Sequence, residues 1–122
     1  MKNLYFLFLV FFCLQSQFLF SNQADTLRLI WENEELTDSL RFGALDEYHN
    51  LFALVSPDST LIVLDYYHNL AILKDADRQV YRSTVRIGNI LRLQNRIEKA
   101  RAYYDEALVI AKKMNNARLE AI

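Results

Sequence analysis

Residues 81–116, YRSTVRIGNILRLQNRIEKARAYYDEALVIAKKMNN, decide the fold. Val80, Thr84, Ile87, Gly88 and Leu91 recur at spacings of three and four, which makes them one stripe of a helix. Ile97, Ala100, Tyr104, Ala107, Leu108 and Ala111 make a second stripe. Between them Asn95-Arg96 supplies a turn, since asparagine tolerates the left-handed conformation at a helix end. Gly88, Ala100 and Ala107 are small where two helices must touch, and Gly88 is expected against Ala100 or Tyr104. The segment therefore predicts a helix-turn-helix hairpin.

Working outward, a shift of 40 residues places Leu51 over Leu91, Leu45 over Val85, Asp65 over Asp105, Ala71 over Ala111 and Arg78 over Arg118. This predicts an earlier, degenerate copy in which Tyr48, Thr60 and Tyr67 stand where Gly88, Ala100 and Ala107 stand later. Ser56-Pro57-Asp58 reads as a helix start: a serine oxygen to cap backbone N–H groups, a proline with no N–H to satisfy, and an acid at the positive helix end. The helix it opens should bury Leu61, Leu64, His68 and Ala71. Asp75-Ala76 and Asn115-Asn116 are expected turns between repeats.

Leu27, Ile30 and Trp31 share a face within Asp25–Glu35, read as a short cap on the first repeat. The expected organisation is a signal peptide or uncleaved anchor over 1–24, a capping helix over 25–36, a degenerate repeat over 37–76, a second repeat over 77–116, and the start of a third over 117–122. Leu108, Ala111, Leu119 and Ile122 would then form an open apolar end suited to self-association.

The 122 residues, 52% hydrophobic and 24% charged, suit one small globular domain rather than a disordered or disulfide-built chain. Two glycines and one proline leave few tight turns, which favours helices over a many-stranded sheet. Cys13, the sole cysteine, has no intrachain partner. Lys2 followed by the apolar run Leu4–Leu14 reads as a secretory signal, with Ser21 and Ala24 as small residues before the cut. A retained membrane anchor is the rival reading, because Phe18, Leu19 and Phe20 lengthen the apolar segment. Lipid attachment at Cys13 is disfavoured by Phe12, where a small residue is usual.

The net charge of −1 hides two opposed blocks. Residues 21–77 hold three basic and eleven acidic side chains, residues 78–122 ten basic and four acidic. Such blocks suit neighbouring elements that attract, or a charged partner. Export argues against nucleic acid.

Ile87-Gly88, Leu91, Asn95-Arg96-Ile97, Ala100, Tyr104 and Ala107-Leu108 together resemble the tetratricopeptide (TPR) repeat. The resemblance implies an all-α helical-repeat solenoid of TPR-like antiparallel helix pairs, following an N-terminal signal peptide. Its implied work is binding a protein or an extended peptide. Leu36-Thr37-Asp38-Ser39-Leu40-Arg41, Ser56-Pro57-Asp58-Ser59 and residues 81–116 are also similar, in order and spacing, to the exported start of large bacterial signalling proteins. In those, the output domain is an adenylate or guanylate cyclase, a sensor histidine kinase or a DNA-binding regulator. The resemblance thus implies a sensory or assembly region, or alternatively a piece of such an enzyme whose catalytic domain lies beyond residue 122.

By the same resemblance, TPR domains that grip acidic chain ends use basic and amide residues at the places of Arg82, Arg86 and Asn89. The expected groove has Arg82, Arg86, Asn89 and Arg92 on one side and His49 and Phe52 on the other, favouring a partner of acidic character. The competing reading pairs these arginines with Asp46 and Glu47. Asp46 would also repel an acidic ligand.

The sequence has no Gly-rich phosphate loop, no Gly-x-Ser-x-Gly and no zinc-like His/Cys spacing. It points to no enzyme and no cofactor. His49 and His68 lack further ligands for a shared metal, so a small metal- or lipid-binding exported protein is the weakest alternative. Tyr66-Tyr67 and Tyr103-Tyr104 are read as core aromatics with Tyr66 and Tyr103 at the edge.

Overall fold

A computed structural model describes residues 2–120, and among these every regular element is an α-helix. The helices are α1 (Lys2–Trp31), α2 (Asp38–Phe52), α3 (Pro57–Leu73), α4 (Asp77–Leu93) and α5 (Ile97–Glu120). The chain divides into two compact units, residues 1–44 and residues 45–122.

In the first unit, α1 exposes apolar side chains all along its first two thirds, among them Leu4, Phe8, Phe12 and Phe18. By length and composition it is able to cross a membrane, as a signal sequence near an N-terminus also is. The helix does not begin afresh at Asp25: it runs unbroken to Trp31, because no glycine or proline interrupts residues 2–31. Trp31 is 3% exposed, and its carbonyl accepts a buried 2.8 Å bond from Nε of Arg41. Thr37 opens α2 as a cap, its hydroxyl oxygen accepting from the N–H of Leu40 at 3.3 Å.

In the second unit, α3 packs on α4 and α4 on α5. Asp58 near the start of α3 accepts from Gln94 just after α4, and Asp77 at the start of α4 accepts from Lys113 late in α5. Those ties require each helix to run antiparallel to the next. The core holds Leu64, Ile87, Ile90, Leu91 and Ala100, with Leu61, Tyr103 and Tyr104 packed against it. Gly88 meets Tyr104, as its small size requires: an added β-carbon would lie 2.8 Å from Cε1 of that ring.

The two reversals between these helices are built alike. Asp75 has φ 52° and Asn95 φ 61°. Around Asp75, Ala76 N–H donates to Ala71 O and Asp75 N–H to Ile72 O; around Asn95, Arg96 donates to Leu91 and Asn95 to Arg92. Each is a Schellman closure, in which a left-handed residue lets the last carbonyls find donors. Helices then start at residues 57, 77 and 97.

Four local expectations fail. Asn115-Asn116 lie inside α5 and make no turn, because asparagine permits the left-handed conformation without imposing it. At Asp75 and Asn95 a following helix packs back, whereas among the described residues none follows Asn115. Ser56 stands at the α3 N-cap but its hydroxyl makes no capping bond; Pro57 holds the first turn, and the Ser56 carbonyl accepts from both N–H and hydroxyl of Thr60. Ile97 and Leu108, placed in the α5 stripe, are 44% and 55% exposed. No helix covers their side of α5 among the described residues, and Ile97 begins the helix. In α3 the buried stripe is shifted: Leu64 and Ala71 are buried together with Thr60, Val63, Tyr67 and Leu70, whereas Leu61 and His68 are only half-buried. At the expected third repeat, Ile122 and the side chain of Leu119 lie outside the described residues.

Candidate functional site

The charged centre of the second unit is Asp46 on α2. Its Oδ1 accepts from Nη1 of Arg86 at 2.7 Å and from the Tyr67 hydroxyl at 3.0 Å, while Oδ2 accepts from Nη1 of Arg82 at 2.9 Å. Arg82 and Arg86 are four apart on α4 and so stand side by side. One carboxylate faces two guanidinium groups, so the cluster keeps a surplus positive charge.

Burial shapes the electrostatics. Tyr67 is fully buried, and burial first, then Asp46, pushes its hydroxyl up to about 12. Burial would lower the Arg82 guanidinium, but Asp46 and Tyr67 outweigh it and hold the group above its ordinary value. His49 lies three residues after Asp46 on the same side of α2. Its imidazole is lowered below the usual histidine value by burial and then by Arg86, against smaller opposing effects of Asn50 and Asp46. Its Nδ1 is buried without a hydrogen-bond partner. Burial beside the Arg86 guanidinium favours the neutral imidazole.

The six residues expected to line a groove are not all brought together. Arg82, Arg86 and His49 share the Asp46 neighbourhood. Asn89 accepts a 2.7 Å bond from the Tyr104 hydroxyl, so its oxygen is committed to α5. Arg92 is exposed in the last turn of α4, and Phe52 is buried with its ring 4.6 Å from that of Tyr48. Asp46 holds both arginines, which bears out the reading that pairs them with it. The signal was available, because Asp46 stands 40 places before Arg86, in the register that superposes the two copies.

A second polar cluster lies on another flank of α4. His68 Nδ1 is 3.2 Å from the Ser83 hydroxyl and 3.3 Å from that of Thr84, and its Nε2 is 3.5 Å from Glu106 of α5. The order Ser–His–Glu invites a hydrolytic reading, which the packing removes. Ser83 is fully buried and spends its proton on the carbonyls of Gln79 and Val80, so no substrate carbon reaches it as a nucleophile. Among the described residues no group of three or more histidine, cysteine or carboxylate side chains is placed to hold a metal ion.

No protein-family model, curated protein or solved structure matches this chain. The class defined by the structure is an all-helical protein with one long apolar N-terminal helix.

Proposed function

We propose that the chain is a protein- or peptide-binding helical scaffold of the tetratricopeptide type, serving as the exported sensory or assembly part of a bacterial signal-transduction protein. The observation that carries this reading is the meeting of Asp46 and Arg86 at 2.7 Å. Residues at equivalent places 40 apart in sequence become lateral neighbours when equivalent helices of successive hairpins stand side by side. That geometry supports the repeat reading. The apolar α1, compatible with a signal or an anchor, supports export.

The ligand face is the Arg82, Arg86 and His49 neighbourhood, where the surplus positive charge favours an extended peptide of acidic character. The open side of α5, with Leu108 and Val109 exposed, is the surface through which copies would associate.

Binding of fluorescent acidic and neutral peptides to the chain tests the reading. Affinity for the acidic peptide should fall with added salt, and should drop in the Arg82→Glu/Arg86→Glu variant together with that salt dependence. Unchanged affinity in a folded variant would leave the arginines with the single task of holding Asp46.

A further inference from the structure

We propose, resting on the export reading and going one step beyond it, that α1 is kept on the exported chain as a membrane anchor. Its partner is the hydrocarbon of a lipid bilayer. Every side chain from Lys2 to Leu19 is exposed. Leu4, Tyr5, Phe6 and Leu7 alone point to all sides of the helix, because successive residues stand about 100° apart. A protein partner would cover one stripe of such a helix, whereas lipid covers all of it.

The dimensions fit a bilayer. The apolar segment from Leu4 to Phe20 rises about 25 Å, near the thickness of the hydrocarbon core, and the whole of α1 rises about 45 Å, near that of core and headgroups together. A helical backbone satisfies its own N–H and C=O groups, as lipid demands. The Ser16 hydroxyl is satisfied within the helix too, donating to the Cys13 carbonyl at 2.8 Å. Tyr5 lies at the inner boundary beside Lys2, and Gln15 and Gln17 lie in the outer third of the segment, toward the other boundary. Lys2 marks the inner end, so the chain beyond α1 lies outside.

The cut that would remove α1 is poorly provided for. Signal-cleavage sites of the Ala-x-Ala kind put small residues one and three places before the cut. Ser21 is preceded at that spacing by Leu19, and Ala24 by Asn22. The helix also passes through both places without a break, and the Thr26 hydroxyl donates to the Asn22 carbonyl at 2.8 Å. Ala24 is half-buried at the head of a stripe with Leu27, Ile30 and Trp31, and Nε of Arg41 holds the Trp31 carbonyl. The lipid-exposed segment and the buried Trp31 thus belong to one helix, with no linker between them.

Expression of the full chain in a Gram-negative host tests this by mass measurement, alkaline extraction of membranes and protease added to spheroplasts. The uncut chain should stay in the extracted membranes, with the part beyond α1 digested from outside. A chain starting near Asn22 or Asp25 in the soluble periplasm would overturn the anchor and leave export standing. An uncut chain in the membrane but shielded from protease would overturn export instead, and an uncut soluble chain in the cytoplasm would overturn both. The Ser21→Pro/Asn22→Ala variant breaks the helix and supplies a small residue three places before the cut. It should lose residues 1–24, showing that the host's peptidase reaches the chain. An uncut variant would overturn the role given to these residues.

Discussion

Gly88 and Tyr104 compete for one space: a β-carbon on Gly88 would lie 2.8 Å from Cε1 and 3.1 Å from Cδ1 of the tyrosine ring. The ring does not swing aside freely, because its hydroxyl is held by Asn89 at 2.7 Å. Gly88→Leu should cost about 1 to 3 kcal/mol by overpacking. Thermal unfolding checks this, and Tyr104→Ala in the same background should return part of the loss.

Asp46→Ala should destabilise the fold more than either arginine substitution. It leaves two guanidinium groups and the buried Tyr67 hydroxyl without their acceptor, at a cost of roughly 1 to 3 kcal/mol. Urea unfolding of the three variants gives the ranking. A milder effect for Asp46→Ala than for Arg82→Ala would contradict it.

Tyr67 sets an alkaline limit. Its proton is held in the fold to about 12, against 10.0 for an ordinary tyrosine, so between those values the unfolded chain has lost the proton and the native one has not. The stability is intact below about pH 10 and drains away as pH rises toward 12. Tyr67→Phe should flatten that decline in unfolding curves taken across this window.

His49 acts at the other end. Its folded imidazole is lowered from 6.5, so below that pH the unfolded chain binds the proton that the native one refuses. Stability is unaffected above pH 6.5 and is lost as pH falls through that value toward the lowered one. His49→Gln should make unfolding less sensitive over this acid range, which chemical denaturation at stepped pH would read out.

The left-handed residues give a fifth check. Asn95→Gly should be neutral or slightly stabilising, whereas Asn95→Val should cost about 1 to 2 kcal/mol, because a branched side chain is strained at φ 61°. Matching behaviour at Asp75 would show that both reversals use the same closure.

What was legible in the sequence was periodic or punctuated. The α4 stripe Val80, Thr84, Ile87, Gly88 and Leu91 is buried as its spacing requires, and Pro57, Asp75 and Asn95 mark real ends. Periodicity says which side of a helix is apolar, but not where a helix stops when no breaker is present. That is why α1 was expected to restart at Asp25 and α5 to end at Asn115. For the candidate site, the arginine pair was legible at i, i+4. The roles of Tyr67 and Ser83 were not, since both depend on a partner from another helix, and a tyrosine reads the same whether its hydroxyl is idle or bound to Asp46.

The span between Asp46 and its arginines has a kinetic consequence. The α3–α4 and α4–α5 hairpins close through three-residue connections, but Asp46 meets Arg82 and Arg86 only after 36 and 40 residues have been folded away. Closing that larger loop costs more chain entropy, so it follows the hairpins. On this account the charged face should assemble after the two hairpins of the second unit. Any molecule that reads it would be distinguishing a finished chain from a nearly finished one.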